Sequence, residues 1–252
     1  MRTIAVIPAR MQSTRLPGKM LADIHGHPLI WHVWQRVMQA RQIQRVLIAT
    51  DSEQIQTAAQ AFGAEVVLTS PDCRSGTERI ASILDQIDAD FVLNVQGDEP
   101  LIDPALLDAL IERWQITQCE MITPVFRIQN TEELRSPNIV KVARAASSQA
   151  LYFSRSPVPF FRDAPIDEWL QHCTYWGHTG VYGYRRNVLE HYSAMPESAL
   201  EHIERLEQLR FLEAGVSIMT LEAAYRSIGV DVQPDLDHVR AILAEKRGKG
   251  NE

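Results

Sequence analysis

Cysteine is scarce. The 252-residue chain has three, Cys73, Cys119 and Cys173, an odd number in no paired spacing. That pattern argues against a disulfide framework or a zinc site, and the thiols read as buried or incidental. No apolar run approaches the ~18 residues that a membrane-spanning helix needs. The N-terminus enters a strand at once, without the zones of a signal peptide. The expectation is therefore a cytoplasmic protein with no membrane insertion. Excess positive charge is lacking too: the net charge is −7, which disfavours a nucleic-acid-binding surface but leaves room for a local basic pocket. Repeats and low-complexity tracts are absent, and nothing marks a clean second domain. What is present is an ordinary composition, 45% hydrophobic and 23% charged. It is enough chain for one large α/β domain or two small ones.

The first ~125 residues alternate strand and helix. Thr3–Pro8 is a continuous apolar run, the mark of a strand covered on both faces. Helical spacing follows over Pro28–Ala40, a strand over Arg45–Ala49, and a helix over Gln54–Phe62 closed by Gly63. Glu65–Leu68 reads as a strand and Thr77–Ile87 as a helix capped by Ser75 or Thr77. Phe91–Val95, Pro104–Trp114 and Met121–Val125 continue the rhythm. Such β-α-β alternation predicts an α/β fold with a mostly parallel sheet and helices on both faces. Beyond ~127 the pattern loosens. Strands are expected at Asn138–Arg144, Ala150–Phe153, Gly177–Tyr184 and Val216–Leu221, and helices at Ala199–Ala214 and Pro234–Lys246. Between them lies a proline-rich excursion, 156–165, too apolar for a simple linker and suited to a lid or a subunit contact.

Two loops carry chemistry. The first, 9–19, places Arg10, Arg15 and Lys19 together with Ser13, Thr14 and Gly18. Like charges in one loop repel unless an anion pairs with them, and arginine forks match phosphate oxygens. The spacing is not that of a G-x-x-x-x-G-K-[ST] loop or of G-x-G-x-x-G, and no helix is expected to start at Lys19. The second loop, Gln96-Gly97-Asp98-Glu99-Pro100, offers carboxylates. Both follow strands of the expected parallel sheet, where ligands bind beyond the strands' carboxyl ends. Each residue also has a plainer reading: a solvated basic loop for the cations, and a turn aspartate before Pro100 for Asp98.

The run Ile7-Pro8-Ala9-Arg10-x-x-Ser13-Thr14-Arg15-Leu16-Pro17-Gly18-Lys19 resembles the signature of the sugar-activating nucleotidyltransferases. Within them it is most similar to the cytidylyltransferases that activate 3-deoxy-D-manno-octulosonate (Kdo). In register with it stand Ser75-Gly76-Thr77-Glu78-Arg79, Asn94–Pro100, Leu151-Tyr152-Phe153-Ser154-Arg155, His178-x-Gly180-x-Tyr182-Gly183-Tyr184, Glu201–Arg210 and Gly229-Val230-Asp231. The resemblance implies a Rossmann-like nucleotide-diphospho-sugar transferase fold with a smaller mixed subregion for sugar binding and dimerisation. It implies one domain over 1–246, with a CTP-binding half (1–126), a sugar-binding and dimerisation part (127–230), a C-terminal helix returning to the core (231–246), and a frayed tail (247–252).

The implied reaction moves CMP from CTP to the anomeric hydroxyl of Kdo and releases pyrophosphate, and the product would feed lipopolysaccharide synthesis. By the same resemblance, Pro8, Ala9, Arg10, Ser13, Arg15, Lys19, Ser75 and Gly76 hold the nucleotide. Lys19, Arg15, Asp98 and Asp231 form the catalytic set, with Asp98 and Asp231 as Mg²⁺ ligands. Arg79, Gln96, Ser154, His178, Tyr182, Glu204 and Gln208 hold the sugar, and the protein is a homodimer built through the middle segment. Plainer alternatives stand beside these roles. Asp231 suits a helix cap near Pro234. Glu201, Glu204 and Gln208, at helical spacing, suit a solvated face salt-bridged to Arg205 or Arg210. His178 suits a hydrogen-bonded core histidine. The chain departs from the family's Val-Asp-Thr-Pro-Glu-Asp-Leu, reading Val230-Asp231-Val232-Gln233-Pro234-Asp235-Leu236. The capping threonine is lost, and the last helix is expected to start a residue late. Another acidic sugar (a sialic acid or 8-amino-Kdo), a neutral sugar phosphate, and a non-catalytic sensor remain as other functions.

Overall fold

A computed structural model describes residues 1–224 and 226–249. The chain divides into two compact units, Met1–Ile111 with Ser227–Glu252, and Glu112–Arg226.

The first unit contains β1 (Thr3–Ala9), a small hairpin of β2 (Asp23–Ile24) and β3 (His27–Pro28), α1 (Leu29–Met38), β4 (Arg45–Thr50), α2 (Glu53–Ala61), β5 (Glu65–Leu68), α3 (Gly76–Ala81) and β6 (Phe91–Val95). Its sheet runs β5-β4-β1-β6, all parallel. Every residue of β1 and β6 is buried, which is why both read as nearly continuous apolar runs rather than alternating ones. Helix α1 turns Leu29, Val33 and Val37 inward at one-turn intervals. Ser52 and Ser75 cap α2 and α3 by accepting from Ile55 N–H and Glu78 N–H, as Ser and Thr do at helix starts. Helix α3 ends at Ala81 and a 3₁₀ turn follows at Leu84–Gln86, so the helix expected through Ile87 is shorter. A single 3₁₀ turn begins at Lys19, where no helix was expected; Gly18 at φ 67° opens it, a backbone that glycine adopts without penalty.

Helix α4 (Pro104–Thr117) carries the chain into the second unit. There follow β7 (Met121–Arg127), α5 (Thr131–Arg135), β8 (Lys141–Arg144), β9 (Ala150–Ser154), α6 (Trp169–His172), β10 (Trp176–His178), β11 (Val181–Arg185), α7 (Arg186–Glu190), α8 (Ala199–Glu204), α9 (Gln208–Glu213) and β12 (Ile218–Glu222). Its sheet is mixed. Strand β7 pairs antiparallel with β10 and β11 and parallel with β12, while β8 pairs antiparallel with β10 and β9. These pairings put β7 in the second unit, so the division falls at 111/112 rather than at 126.

Two expectations change here. The strand expected over Gly177–Tyr184 is two, β10 and β11. The helix expected over Ala199–Ala214 is also two, because Arg205 sits at φ 54° and breaks it; a non-glycine residue there costs conformational energy. Arg155 holds the break from below, donating from Nε to Glu204 O (2.7 Å) and from Nη2 to Arg205 O (3.3 Å). The apolar excursion is only partly covered: Phe161 and Ala164 within it, with Ile166 and Leu170 just beyond, pack on Phe126, Leu134, Trp169 and Tyr175, while six of its ten residues are exposed. Phe160 remains exposed.

Helix α10 (Gln233–Lys249) belongs with the first unit. It runs through 247–249, residues expected to fray; the rest of that tail, 250–252, lies outside the described residues.

Candidate active site

At the carboxyl ends of β1 and β6 the first unit opens into a cleft. Its walls include all eight residues expected at the nucleotide, namely Pro8, Ala9, Arg10, Ser13, Arg15, Lys19, Ser75 and Gly76. Asp98, Asp231, Arg79 and Gln96 line the same cleft. It is the crevice that parallel-sheet topology predicts. Gly97 is needed here for close approach: a Cβ at that position would come to 3.0 Å of both the Pro8 carbonyl and Met20 Sδ.

Charge is organised around Lys19. Its side chain is only 10% exposed. The ammonium donates to Asp98 Oδ2 at 2.6 Å, to Asp231 Oδ1 at 3.3 Å and to the Val230 carbonyl at 2.9 Å. Arg15 Nη2 lies 2.8 Å from the same Asp231 oxygen. Two carboxylates from distant parts of the chain therefore face one small cation. Among the described residues no group of three or more His, Cys, Asp or Glu side chains could hold a metal. Two carboxylates suffice for Mg²⁺, which keeps several waters and takes phosphate oxygens as further ligands. The ammonium between Asp98 and Asp231 shows that the pair fits a shared cation.

Asp231 itself does not cap α10, its plainer reading. Asp235 instead reaches back from the first turn, its Oδ2 accepting from Asp231 N–H (2.9 Å) and Val232 N–H (3.0 Å). The segment before the helix is tied further by Val230 N–H to Asp98 O (2.8 Å) and Ser227 Oγ to Glu99 Oε2 (2.5 Å). Asp235 and the Glu99–Ser227 bond were not singled out from sequence. The spacing of Asp235 three residues after Val232 is half of a capping box and was the available signal.

Of the expected sugar residues in this unit, Gln96 donates to Asn94 Oδ1 at 2.9 Å. Arg79 is 3% exposed and ion-paired to Asp51 at 2.8 Å, with a further bond to Thr69 Oγ1. Its guanidinium is already neutralised by Asp51, a partner that no local pattern announces.

In the second unit the remaining five expected residues fall into three hydrogen-bonded sets. The Glu204 carboxylate accepts from Ser154 Oγ (2.6 Å) and from Arg155 N–H (2.9 Å). Tyr182 donates to Gln208 Oε1 at 3.1 Å, while Gln208 Nε2, buried, has no partner. Burial pushes the Tyr182 phenol well above its ordinary range. Thr123 Oγ1 donates to Val181 O at 2.7 Å and lies 2.9 Å from His178 Nε2. With its proton committed to Val181, the hydroxyl accepts, so His178 Nε2 carries the hydrogen. Desolvation pushes the imidazole down to about 3, and it stays neutral near pH 7. Glu201, the other acid of the expected face, pairs with Arg210 at 2.6 Å, the salt bridge of its plainer reading, though on a half-buried rather than solvated face. Buried Lys141, whose ammonium donates to Ser136 O (2.8 Å) and Ile139 O (2.7 Å), is pushed down to about 8 by burial.

A family model for cytidylyltransferases matches residues 4–218. The chain belongs to that family. It is 45% identical over 247 residues to the 3-deoxy-manno-octulosonate cytidylyltransferase of Geobacter sulfurreducens, covering 95% of this chain and 98% of the relative. To the enzyme of the same name from Escherichia coli it is 40% identical, with 97% of each covered. A solved CMP:2-keto-3-deoxy-manno-octonic acid synthetase complexed with CTP superimposes with a TM-score of 0.92 at 40% identity, covering 98% of this chain and 100% of that one. A glucose-1-phosphate thymidylyltransferase from Bacillus anthracis, 17% identical at a TM-score of 0.66 over 95% of this chain and 94% of that one, shares the fold alone. The α/β nucleotidyltransferase fold and the enzyme class are thereby established.

Proposed function

We propose that this cytidylyltransferase transfers CMP from CTP to the anomeric hydroxyl of Kdo and releases pyrophosphate. The observation that carries the reading is Lys19, bonded to both Asp98 and Asp231 in a cleft that also presents Arg10 and Arg15. Support for the sugar comes from relatives covered over nearly their whole length that bear the name of the Kdo enzyme.

The anomeric oxygen attacks the α-phosphorus, the bond from that phosphorus to the α–β bridging oxygen breaks, pyrophosphate leaves with that oxygen and the bonding electrons, and the hydroxyl proton passes to solvent water. Such transfer depends on alignment and charge neutralisation more than on covalent help from the protein. Arg10 and Arg15 hold the phosphate tail, and Lys19 stands nearest the reacting phosphate. Asp98 and Asp231 hold the Mg²⁺, which when bound supplies positive charge to the phosphate oxygens. Gln96, Tyr182 and Gln208 are proposed sugar contacts, supported by the unpartnered amide of Gln208. Arg79, Ser154, His178 and Glu204 stay in the sugar set on the resemblance, each held by a bond to its own chain.

We further place the protein in the cytoplasm, supplying lipopolysaccharide synthesis, as a homodimer. No helix among the described residues is long and apolar enough to cross a membrane. Leu151, Phe160 and Ile203 of the second unit are 63–75% exposed, apolar area that a partner subunit would cover. The test is pyrophosphate release from CTP with a panel of sugars. Release with Kdo, and little with a sialic acid or a sugar phosphate, supports the reading; release only with another sugar overturns it.

A further inference from the structure

The start of α10 has lost one half of a capping arrangement and kept the other. Val232 precedes the helix and has no side-chain acceptor. Its carbonyl takes the first helical bonds, from Asp235 N–H at 3.1 Å and Leu236 N–H at 3.3 Å. In a full capping box the residue at that place returns a side-chain bond to the third helical residue, and that residue reaches back. Here only the return reach exists, and it goes one residue further than helix capping requires. One oxygen, Asp235 Oδ2, accepts from Val232 N–H at 3.0 Å and from Asp231 N–H at 2.9 Å.

That extra bond falls on a residue whose carboxylate matters. With Val230 N–H bonded to Asp98 O, three consecutive backbone N–H groups, 230 to 232, are fixed, and the Asp231 side chain is delivered to Lys19 and Arg15 in the cleft. Among the described residues the ion-pair partners of Lys19 and Arg15 are Asp98 and Asp231, and Asp235 does not line the cleft. Resting on the reading of Asp231 as a metal ligand, we infer that Asp235 is a positioning residue that sets the Asp231 carboxylate for the shared cation, a task distinct from starting the helix.

The experiment titrates CTP into the full-length protein without Kdo, so that no turnover occurs, in saturating Mg²⁺ and in EDTA. The quantity read is the gain in CTP affinity that Mg²⁺ confers. Asp235→Ala should reduce that gain by about tenfold or more, the usual cost of losing a group that orients a ligand, while metal-free CTP affinity stays within about twofold. Asp235→Asn removes the charge but keeps an oxygen able to take both N–H bonds, and should restore the gain. If Asp235→Asn is as defective as Asp235→Ala, the effect is one of charge and the inference is overturned. The double variant Asp235→Ala with Val232→Thr supplies a helix cap without holding Asp231 N–H, and should fold yet remain defective; full recovery would reduce Asp235 to a helix cap and overturn the inference. Asp231→Asn separates the two readings. If it weakens the Mg²⁺ gain while Asp235→Ala does not, the positioning role fails and the metal role stands. If Asp231→Asn leaves the gain intact, the metal reading itself fails and this inference falls with it.

Discussion

The two units spend their polar groups differently. In the first, charged side chains crowd the wall of an open cleft, and Arg15 and Lys19 converge on one aspartate. In the second, polar side chains are mostly saturated by their own chain: both oxygens of Glu204 are occupied, Arg155 reaches the Glu204, Arg205 and Pro137 carbonyls, and Thr123 serves Val181 and His178. A cluster of like charges that its own carboxylates only partly offset is arranged for a ligand. A network with most donors and acceptors matched holds geometry and contributes stability. Substitutions at the cleft of the first unit should therefore act chiefly on turnover, and those at the matched groups of the second on folding as well.

The largest expected effect lies in the cleft. Asp98→Ala should lower turnover by about a thousandfold, the scale for losing one preorganised electrostatic contact, with metal-free CTP binding retained. Full activity of that variant in a pyrophosphate-release assay would erase the contrast. Next comes pH. The neutral form of His178 is favoured in the folded state, where its pKa is pushed down to about 3; in the unfolded chain it is about 6.5. Between those values the unfolded chain binds one proton more than the folded chain. Stability is present above pH 6.5 and is lost as pH falls, by up to about 1.4 kcal/mol per pH unit. Denaturant unfolding of His178→Gln should show a flatter dependence over pH 4–6, on the order of one proton less; an unchanged slope would show that His178 is not the group responsible.

Legibility in the sequence divided along similar lines. Parallel strands covered on both faces announce themselves as apolar runs, so β1, β4 and β6 were readable with only small errors at their ends; β5, an edge strand with no buried residue, was readable from its short apolar run alone. Gly63 and Ser75 marked helix ends by chemistry local to them. The break at Arg205 was not legible, because nothing in Ala199–Ala214 interrupts the helical pattern; the carbonyls there are held by Arg155, some fifty positions away in sequence. The pairing of Arg79 with Asp51 escaped for the same reason. In the cleft, residue types and order gave the cast, whereas the contact of Lys19 with Asp98 and Asp231 depends on how the chain returns at 227–231.

A smaller effect is expected at Glu204. Its replacement by Ala strands the buried Ser154 hydroxyl and the Arg155 N–H, which should cost about 2–3 kcal/mol and lower Tm by roughly 5–10 °C. A thermal melt matching the parent would show that the network adds no stability. Smallest is Val232→Thr, which provides the missing helix cap and should raise stability by about 0.5–1 kcal/mol at unchanged turnover. If its unfolding midpoint does not move, Asp235 already satisfies that helix end.

A crystal structure with CTP and Mn²⁺ in place of Mg²⁺ tests the shared-cation claim most directly. The anomalous signal should mark an ion bonded to oxygens of both Asp98 and Asp231, at distances near the 2.0–2.1 Å typical of Mg²⁺, with the Lys19 ammonium displaced from between them. An ion on the triphosphate touching neither aspartate, with Lys19 still bridging the pair, would contradict the account.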